Sequence, residues 1–148
     1  MNEKGASPDL VRAKHLLTAG GFTCVLCRGD AVHTATERGV KPLLTFWDDG
    51  VDLHGFSAAD KVVGKGAAFL YVLLGITAVY APVISRGAWE ILQTNHIRAE
   101  YDTMVDGIRN RAGTGMCPIE SSLGDVRDSR EALEIIRDTL RKLAQTTK

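Results

Sequence analysis

The sequence predicts a mixed α/β domain: a three-layer α/β/α sandwich whose mixed sheet opens with an N-terminal hairpin. Three observations carry this. Two short segments that read as strands, residues 22–27 and 31–34, flank Arg28-Gly29-Asp30, a tight turn between antiparallel strands. Beyond residue 57, segments of helical spacing alternate with β-branched runs, the pattern of parallel strands joined by helical crossovers. The chain has 148 residues without an internal repeat, low-complexity stretch or linker, so residues 1–148 are expected to form one domain around one core.

Element by element, Ser7 and Pro8 form an N-cap and first-position pair, and Leu10, Val11, Leu16 and Leu17 follow at helical spacing until Gly20-Gly21. The hairpin comes next. Pro42 starts a short helix through Trp47, ended by Asp49 and Gly50. Ser57 is expected to cap a long helix running to Leu74, with Gly75 as its stop and a strand over residues 77–84. Ser85 caps a helix carrying Ala88, Trp89, Ile91 and Leu92, and residues 97–101 read as a strand. Residues 109–117 read as loop, and an amphipathic helix from Ser129 closes the chain. The expected order is α-β-β-α-α-β-α-β followed by helices.

Composition narrows the function classes. Lys plus Arg total 18 and Asp plus Glu total 18, so no basic excess marks a partner such as nucleic acid. Three cysteines, an odd number, with no basic-then-apolar leader at the start, predict a cytoplasmic protein without a disulfide framework. Residues 66–85 are uncharged for 20 positions, long enough to cross a bilayer as one helix. Gly75 and the β-branched residues after it divide that run into a buried helix and a buried strand, so no membrane association is expected.

Two motifs resolve into packing. Cys24 and Cys27 have the spacing of a metal or redox pair, but residues three apart on a strand point to opposite faces and share neither a metal nor a disulfide. Gly64-Lys65-Gly66 approaches a phosphate loop, yet the pattern needs Gly at Ala59 and Ser or Thr at Gly66. The plainer reading lets Gly64 and Ala68 bring their helix close to the sheet.

The candidate ligand-binding residues lie in three places. Asp60 and Lys61 fall in the first turn of the expected long helix, where an acid either meets a ligand or simply complements the helix dipole. Arg38 and Lys41 flank Gly39 ahead of Pro42 and either bind an anion or solvate a loop. The fullest constellation is Arg109, Asn110, Arg111, Gly113, Thr114, Gly115, Cys117 and Glu120. Its arginines are fork-shaped donors, its glycines permit close backbone approach, and Cys117-Pro118 opens a short helix whose free N–H groups favour an anion. A tight turn feeding a helix asks for the same glycines. Cys117, at a helix start beside arginines, is also a candidate nucleophile.

Four segments carry a resemblance: Arg38-Gly-Val-Lys-Pro-Leu-Leu44, Ala59-Asp-Lys-Val-Val-Gly-Lys65, Tyr80-Ala-Pro-Val-Ile-Ser85 and Asn110-Arg-Ala-Gly-Thr-Gly-Met-Cys-Pro-Ile-Glu120. Through them the chain resembles the TM1506-like DUF1893 family. That resemblance implies a cytidine deaminase-like fold with no settled activity and without the zinc ligands of true deaminases. Zinc deaminases use H-x-E and P-C-x-x-C to hold the metal and move protons. Neither is present: Leu17, Ala35, Phe56 and Arg98 stand two positions after His15, His33, His54 and His96. Aligned through the resemblance, Ala58 and Asp60 take the H-x-E positions, and Val83 and Arg86 take those of the cysteines. No metal or cofactor is therefore expected, and no catalytic residue is carried over from the deaminases. Two functions stay open: a small-molecule-binding protein for a nucleotide or other phosphorylated ligand, with or without a zinc-free reaction, and a catalytically silent scaffold. Self-association into a homo-oligomer through a sheet edge or helix face is compatible with both.

Overall fold

The computed structural model describes residues 7–37, 39–109 and 115–146. α1 (Pro8–Gly20) is capped by the Ser7 hydroxyl, which accepts the Leu10 N–H at 3.2 Å, and ends at Gly21 with φ 73°. β1 (Cys24–Arg28) and β2 (Ala31–Ala35) form the hairpin, and α2 (Lys41–Asp48) follows. Next come β3 (Ser57–Asp60), β4 (Val62–Val63), α3 (Lys65–Leu74), β5 (Ala78–Ser85), α4 (Arg86–Thr94) and β6 (Arg98–Val105). α5 (Pro118–Leu123) and α6 (Ser129–Thr146) close the chain.

Among the described residues the strands form one six-stranded mixed sheet. β1 lies between β2 and β3, antiparallel to both. β3 and β4 run parallel to β5, pairing Ser57 with Ala78 and Val62 with Val83, so they keep one register across a break at Asp60-Lys61. β6 runs parallel along the other edge of β5, with pairing that skips Pro82, the residue that has no N–H to give.

α1 covers one face, over β1, β3 and β5, burying Ala13 and Leu17 against Val25, Cys27 and Ala59. Asp9 and Arg12 tie it to the hairpin turn: the Asp9 carboxylate accepts the Gly29 N–H at 3.0 Å, and the Arg12 guanidinium donates to the Gly29 carbonyl. The larger core fills the opposite face, where α3 packs against α2, α4, α5 and α6 over Leu26, Ala58, Val79 and Ala81. The three-layer architecture is the expected one.

The long helix from Ser57 does not exist. Residues 57–60 are a strand buried at every position, and the helix begins only at Lys65. Alanines at 58 and 59 are helix formers on their own, but a strand covered by helices on both faces needs small side chains, and that burial overrides propensity. Ala58 and Asp60 thus lie on β3 and not on the long helix from which their alignment with the H-x-E positions was drawn, while Val83 lies on β5 and Arg86 opens α4 as expected. The order gains β3 and β4 where one helix was expected. Gly64 also differs from expectation: a Cβ there would stand 3.0 Å from Glu120 Oε1 and Ile108 Cγ1, so it faces α5 and the β6 loop, not the sheet.

The uncharged run divides as expected into α3 and β5, with Gly75 at φ 77° between them. No helix among the described residues is long and apolar enough to cross a membrane. Cys24 belongs to the larger core and Cys27 to the α1-side core, both free and buried. Native-state mass spectrometry is therefore expected to find both thiols reduced and unreactive towards a neutral alkylating reagent. A Cys24–Cys27 disulfide in the folded protein would refute the strand register.

Candidate functional site

The carboxyl ends of β4, β5 and β6, where open α/β sheets take their ligands, bring together the starts of α3 and α4 and the segment after β6. Ser85 caps α4, accepting the Ala88 N–H at 3.1 Å. Gly64, at the N-cap of α3, has no side chain to offer. Its place is taken by Glu120 of α5, whose Oε1 accepts the Lys65 N–H at 2.5 Å and whose Oε2 accepts the Ile108 N–H at 3.1 Å. The Cys117 N–H donates to the Ile108 carbonyl at 2.7 Å, and Arg109 bridges antiparallel to Met116, so the neck of the loop is closed.

Basic residues stand at the starts of α3 and α4 and in the bridge itself. Lys65 lies against Gly87, where a Cβ would come within 2.4 Å of Lys65 Cε, and its Nζ donates to the Gly124 carbonyl at 2.9 Å. Arg86 reaches Asp106 at 4.0 Å with both side chains exposed, and Arg109 is exposed at the mouth of the loop. A groove of about 420 Å³ between α3 and α4 begins at Lys65 and Gly87 and includes Asp125 and Arg127.

The structure divides the predicted residues. Arg109, Cys117 and Glu120 come together around Ile108 beside the start of α3, and Gly115 directly precedes the Arg109–Met116 bridge. Glu120 is a buried cap for two backbone N–H groups, a stronger structural role than the sequence suggested. Cys117 is partly buried at the start of α5. Arg38, Asn110, Arg111, Gly113 and Thr114 lie outside the described residues. Lys41 is exposed and pairs with Glu37 at 3.8 Å.

Asp60 and Lys61 separate. Lys61 points to solvent at the strand break, whereas Asp60 is 7% exposed and enters a buried chain of polar groups. Tyr71 Oη donates to Asp60 Oδ2 at 2.7 Å, and Cys24 Sγ lies 3.4 Å from Tyr71 Oη. Burial pushes the Asp60 carboxyl up to about 7, against the lowering effect of the Tyr71 hydroxyl and the Val62 and Lys61 N–H groups. Burial, then the nearby Asp60 charge, also raises the Cys24 thiol, and the Tyr71 hydroxyl rises well above its ordinary value for the same two leading reasons. Tyr71 was not singled out by sequence. Its signal was a tyrosine within an uncharged helical run, since a buried hydroxyl needs a partner. Among the described residues no three His, Cys, Asp or Glu side chains are grouped to hold a metal ion.

Fold and site define a small mixed α/β domain in which the starts of α3 and α4 and the segment after β6 meet at the carboxyl ends of the parallel strands. A match to the family described as TM1506, domain of unknown function (DUF1893), spans residues 12–140, and the chain belongs to that family. The crystal structure of a DUF1893 family protein from Thermotoga maritima is similar at a TM-score of 0.82 and 22% identity, covering 93% of this chain and 95% of that one. A diaminohydroxyphosphoribosylaminopyrimidine deaminase/5-amino-6-(5-phosphoribosylamino)uracil reductase from Thermotoga maritima aligns at a TM-score of 0.41 and 13% identity, over 78% of this chain and 40% of that one. No curated protein matches the chain.

Proposed function

We propose that this protein binds a small phosphorylated molecule, most plainly a nucleotide, beyond the carboxyl ends of β4, β5 and β6, beside the starts of α3 and α4. The observation that carries this reading is the meeting of the starts of α3 and α4 there, with Lys65 lying against Gly87 at the head of a groove that also takes in Arg127, and with Arg86 opening α4. Guanidinium groups give planar, bidentate recognition of phosphate, and a fixed neck lowers the ordering cost of binding. Lys65 presents a point charge with donors beyond the one that Gly124 takes. Such a site recognises an anion by charge and geometry, with or without a reaction on the rest of the ligand.

The test is thermal unfolding against a nucleotide panel and inorganic phosphate. Binding to the folded state adds about 2.7 kcal/mol of stability when free ligand is at about 100 times Kd, so the midpoint should climb with the logarithm of concentration. Arg109→Ala should weaken the binding of whichever nucleotide responds by on the order of tenfold, the contribution of a charge-assisted hydrogen bond. If no nucleotide or phosphate moves the midpoint, and it instead tracks protein concentration, the chain is a self-associating scaffold.

A further inference from the structure

α6 turns Arg130, Glu131, Glu134, Arg141 and Lys142 to solvent, as a surface helix does. α1 does not. Its exposed positions are Pro8, Val11, His15, Thr18, Ala19 and Gly20, with no Asp, Glu, Lys or Arg among them. The charged residues of α1 are committed within the chain: Asp9 and Arg12 to Gly29, and Lys14 to Glu100, with its Nζ 4.5 Å from the centre of the Tyr80 ring. Pro8, Val11, His15 and Ala19 follow one another at helical spacing along the outer stripe, and Val11 is 53% exposed. An outer stripe without charge is the pattern of a helix covered on both sides.

The sheet beside α1 is bare. α2, α3, α4, α5 and α6 all feed the larger core on the opposite face, while α1 rests on β1, β3 and the near side of β5. Among the described residues no helix covers the rest of that face. Tyr80 packs on the α1 side and its hydroxyl donates to Asp102 Oδ2 at 2.7 Å, so Tyr80, Glu100 and Asp102 share that side. Val63, Ile84 and Met104 belong to the larger core, which turns their strand neighbours Val62, Val83 and Thr103 to the bare side, and Val62 is 45% exposed. One face thus carries an uncharged ridge and, next to it, an uncovered floor with apolar side chains and an acidic edge.

We propose that two copies of this chain pair through this face, with α1 of each seated on the floor that β5 and β6 of the other leave bare. A two-fold axis parallel to the strands achieves this, setting the two α1 helices side by side in one layer between two sheets, and every contact occurs twice. A second copy fits because it brings the ridge that the floor lacks. Charge agrees with shape: the rotation carries the hairpin side of the partner across β6, so the partner's Arg12 comes over Glu100 and Asp102. Val11, one turn before Lys14, flanks the floor and meets the partner's Val11 near the axis. The 13 residues of α1 span about 20 Å, and two helices abreast another 20 Å or about that, so each copy contributes roughly 400 Å² in plan. That is the low end of specific interfaces, so the pair exchanges with the monomer, and α1 has no partner in dilute solution. The face is opposite the one that carries α3 and α4, and the pairing requires no ligand.

Sedimentation equilibrium of the full chain, from micromolar to millimolar concentration, tests the pairing. The mass of the parent should climb from one chain towards two and no further, because a two-fold contact closes on itself. Val11→Asp sets two carboxylates against each other at the axis and should weaken dimerisation at least tenfold. An acid near the start of a helix complements the helix dipole, so the fold tolerates it. Val62→Lys, on the floor, should weaken dimerisation likewise and carries the test if Val11→Asp does not fold. Leu143→Lys removes an exposed apolar side chain from α6, on the opposite face, and should leave the dimerisation constant unchanged. A parent that stays monomeric at the highest concentration overturns the pairing, and so does growth beyond two chains. An unchanged constant in Val11→Asp or Val62→Lys, or a weakened one in Leu143→Lys, overturns it as well.

Discussion

Replacing Asp60 with Asn is expected to abolish a loss of stability that the parent protein suffers between about pH 4 and pH 7. The carboxyl is raised from 3.8 to about 7 in the folded state, chiefly by burial. A raised acid binds its proton more tightly folded than unfolded. Its contribution is therefore fully present below the unfolded value near pH 4, falls as pH rises through about 7, and is flat above. The whole swing is on the order of 4 kcal/mol. Asn keeps the shape and never ionises. Its carbonyl accepts the Lys61 and Val62 N–H groups, and its amide donates to Tyr71 Oη, which then turns its own proton to Cys24 Sγ. Urea unfolding of both proteins from pH 4 to pH 8 checks this. The parent should lose stability relative to the variant as pH rises, and the variant should be the more stable of the two at pH 8. Parallel profiles would mean that Asp60 does not titrate in this range.

Gly66→Ala is the second large effect, and its sign runs against the helix scale. An exposed glycine in a helix gains up to about 1 kcal/mol on becoming alanine. At Gly66 the new methyl would stand 2.7 Å from Ile119 Cγ2, and Val40 and Ile136 close the remaining sides at 3.3 and 3.6 Å. Ile119 must move, and overpacking of that kind costs about 1–3 kcal/mol. The cycle with Ile119→Ala makes the cause visible, because removing the branched side chain opens the space the methyl needs. Equilibrium unfolding should show Gly66→Ala destabilised alone and close to neutral in the Ile119→Ala background. Equal losses in both backgrounds would place the strain elsewhere.

What the sequence disclosed follows from how local each signal was. Ser7, Ser85, Gly75 and the hairpin turn act on neighbours within a few residues; each stands where its chemistry put it, the turn closing to Gly29-Asp30 with Arg28 paired to Ala31. Ser57 also has the chemistry of a cap, but its fate was set by β1 and β5 on either side, and neither neighbour is visible in a window around it. Val62-Val63-Gly64 was the available hint, two β-branched residues before a break. At the end of the candidate loop, Cys117-Pro118 was legible as a helix start because it is a local signal. The role of Glu120 was not, since its partners Lys65 and Ile108 are 55 and 12 positions away. Asp60 was singled out for the right residue type in the wrong element, and Tyr71, eleven positions on, explains what the carboxyl is doing there.

The two faces of the sheet are unequally insured. One carries α2, α3, α4 and α6 around a continuous apolar mass, while the other has α1 resting on Val25, Cys27 and Ala59 and pinned at the hairpin turn by Asp9 and Arg12. Peeling α1 away exposes only that smaller patch and breaks none of the β1, β3 and β5 ladders, so it costs a fraction of global unfolding. Hydrogen exchange should therefore occur in two tiers, with α1 amides opening first and those of α3 and β5 released only when the whole domain comes apart. In that partly open form Cys27 meets solvent while Cys24 stays covered, and the two thiols, three residues apart, become reporters of two different opening events.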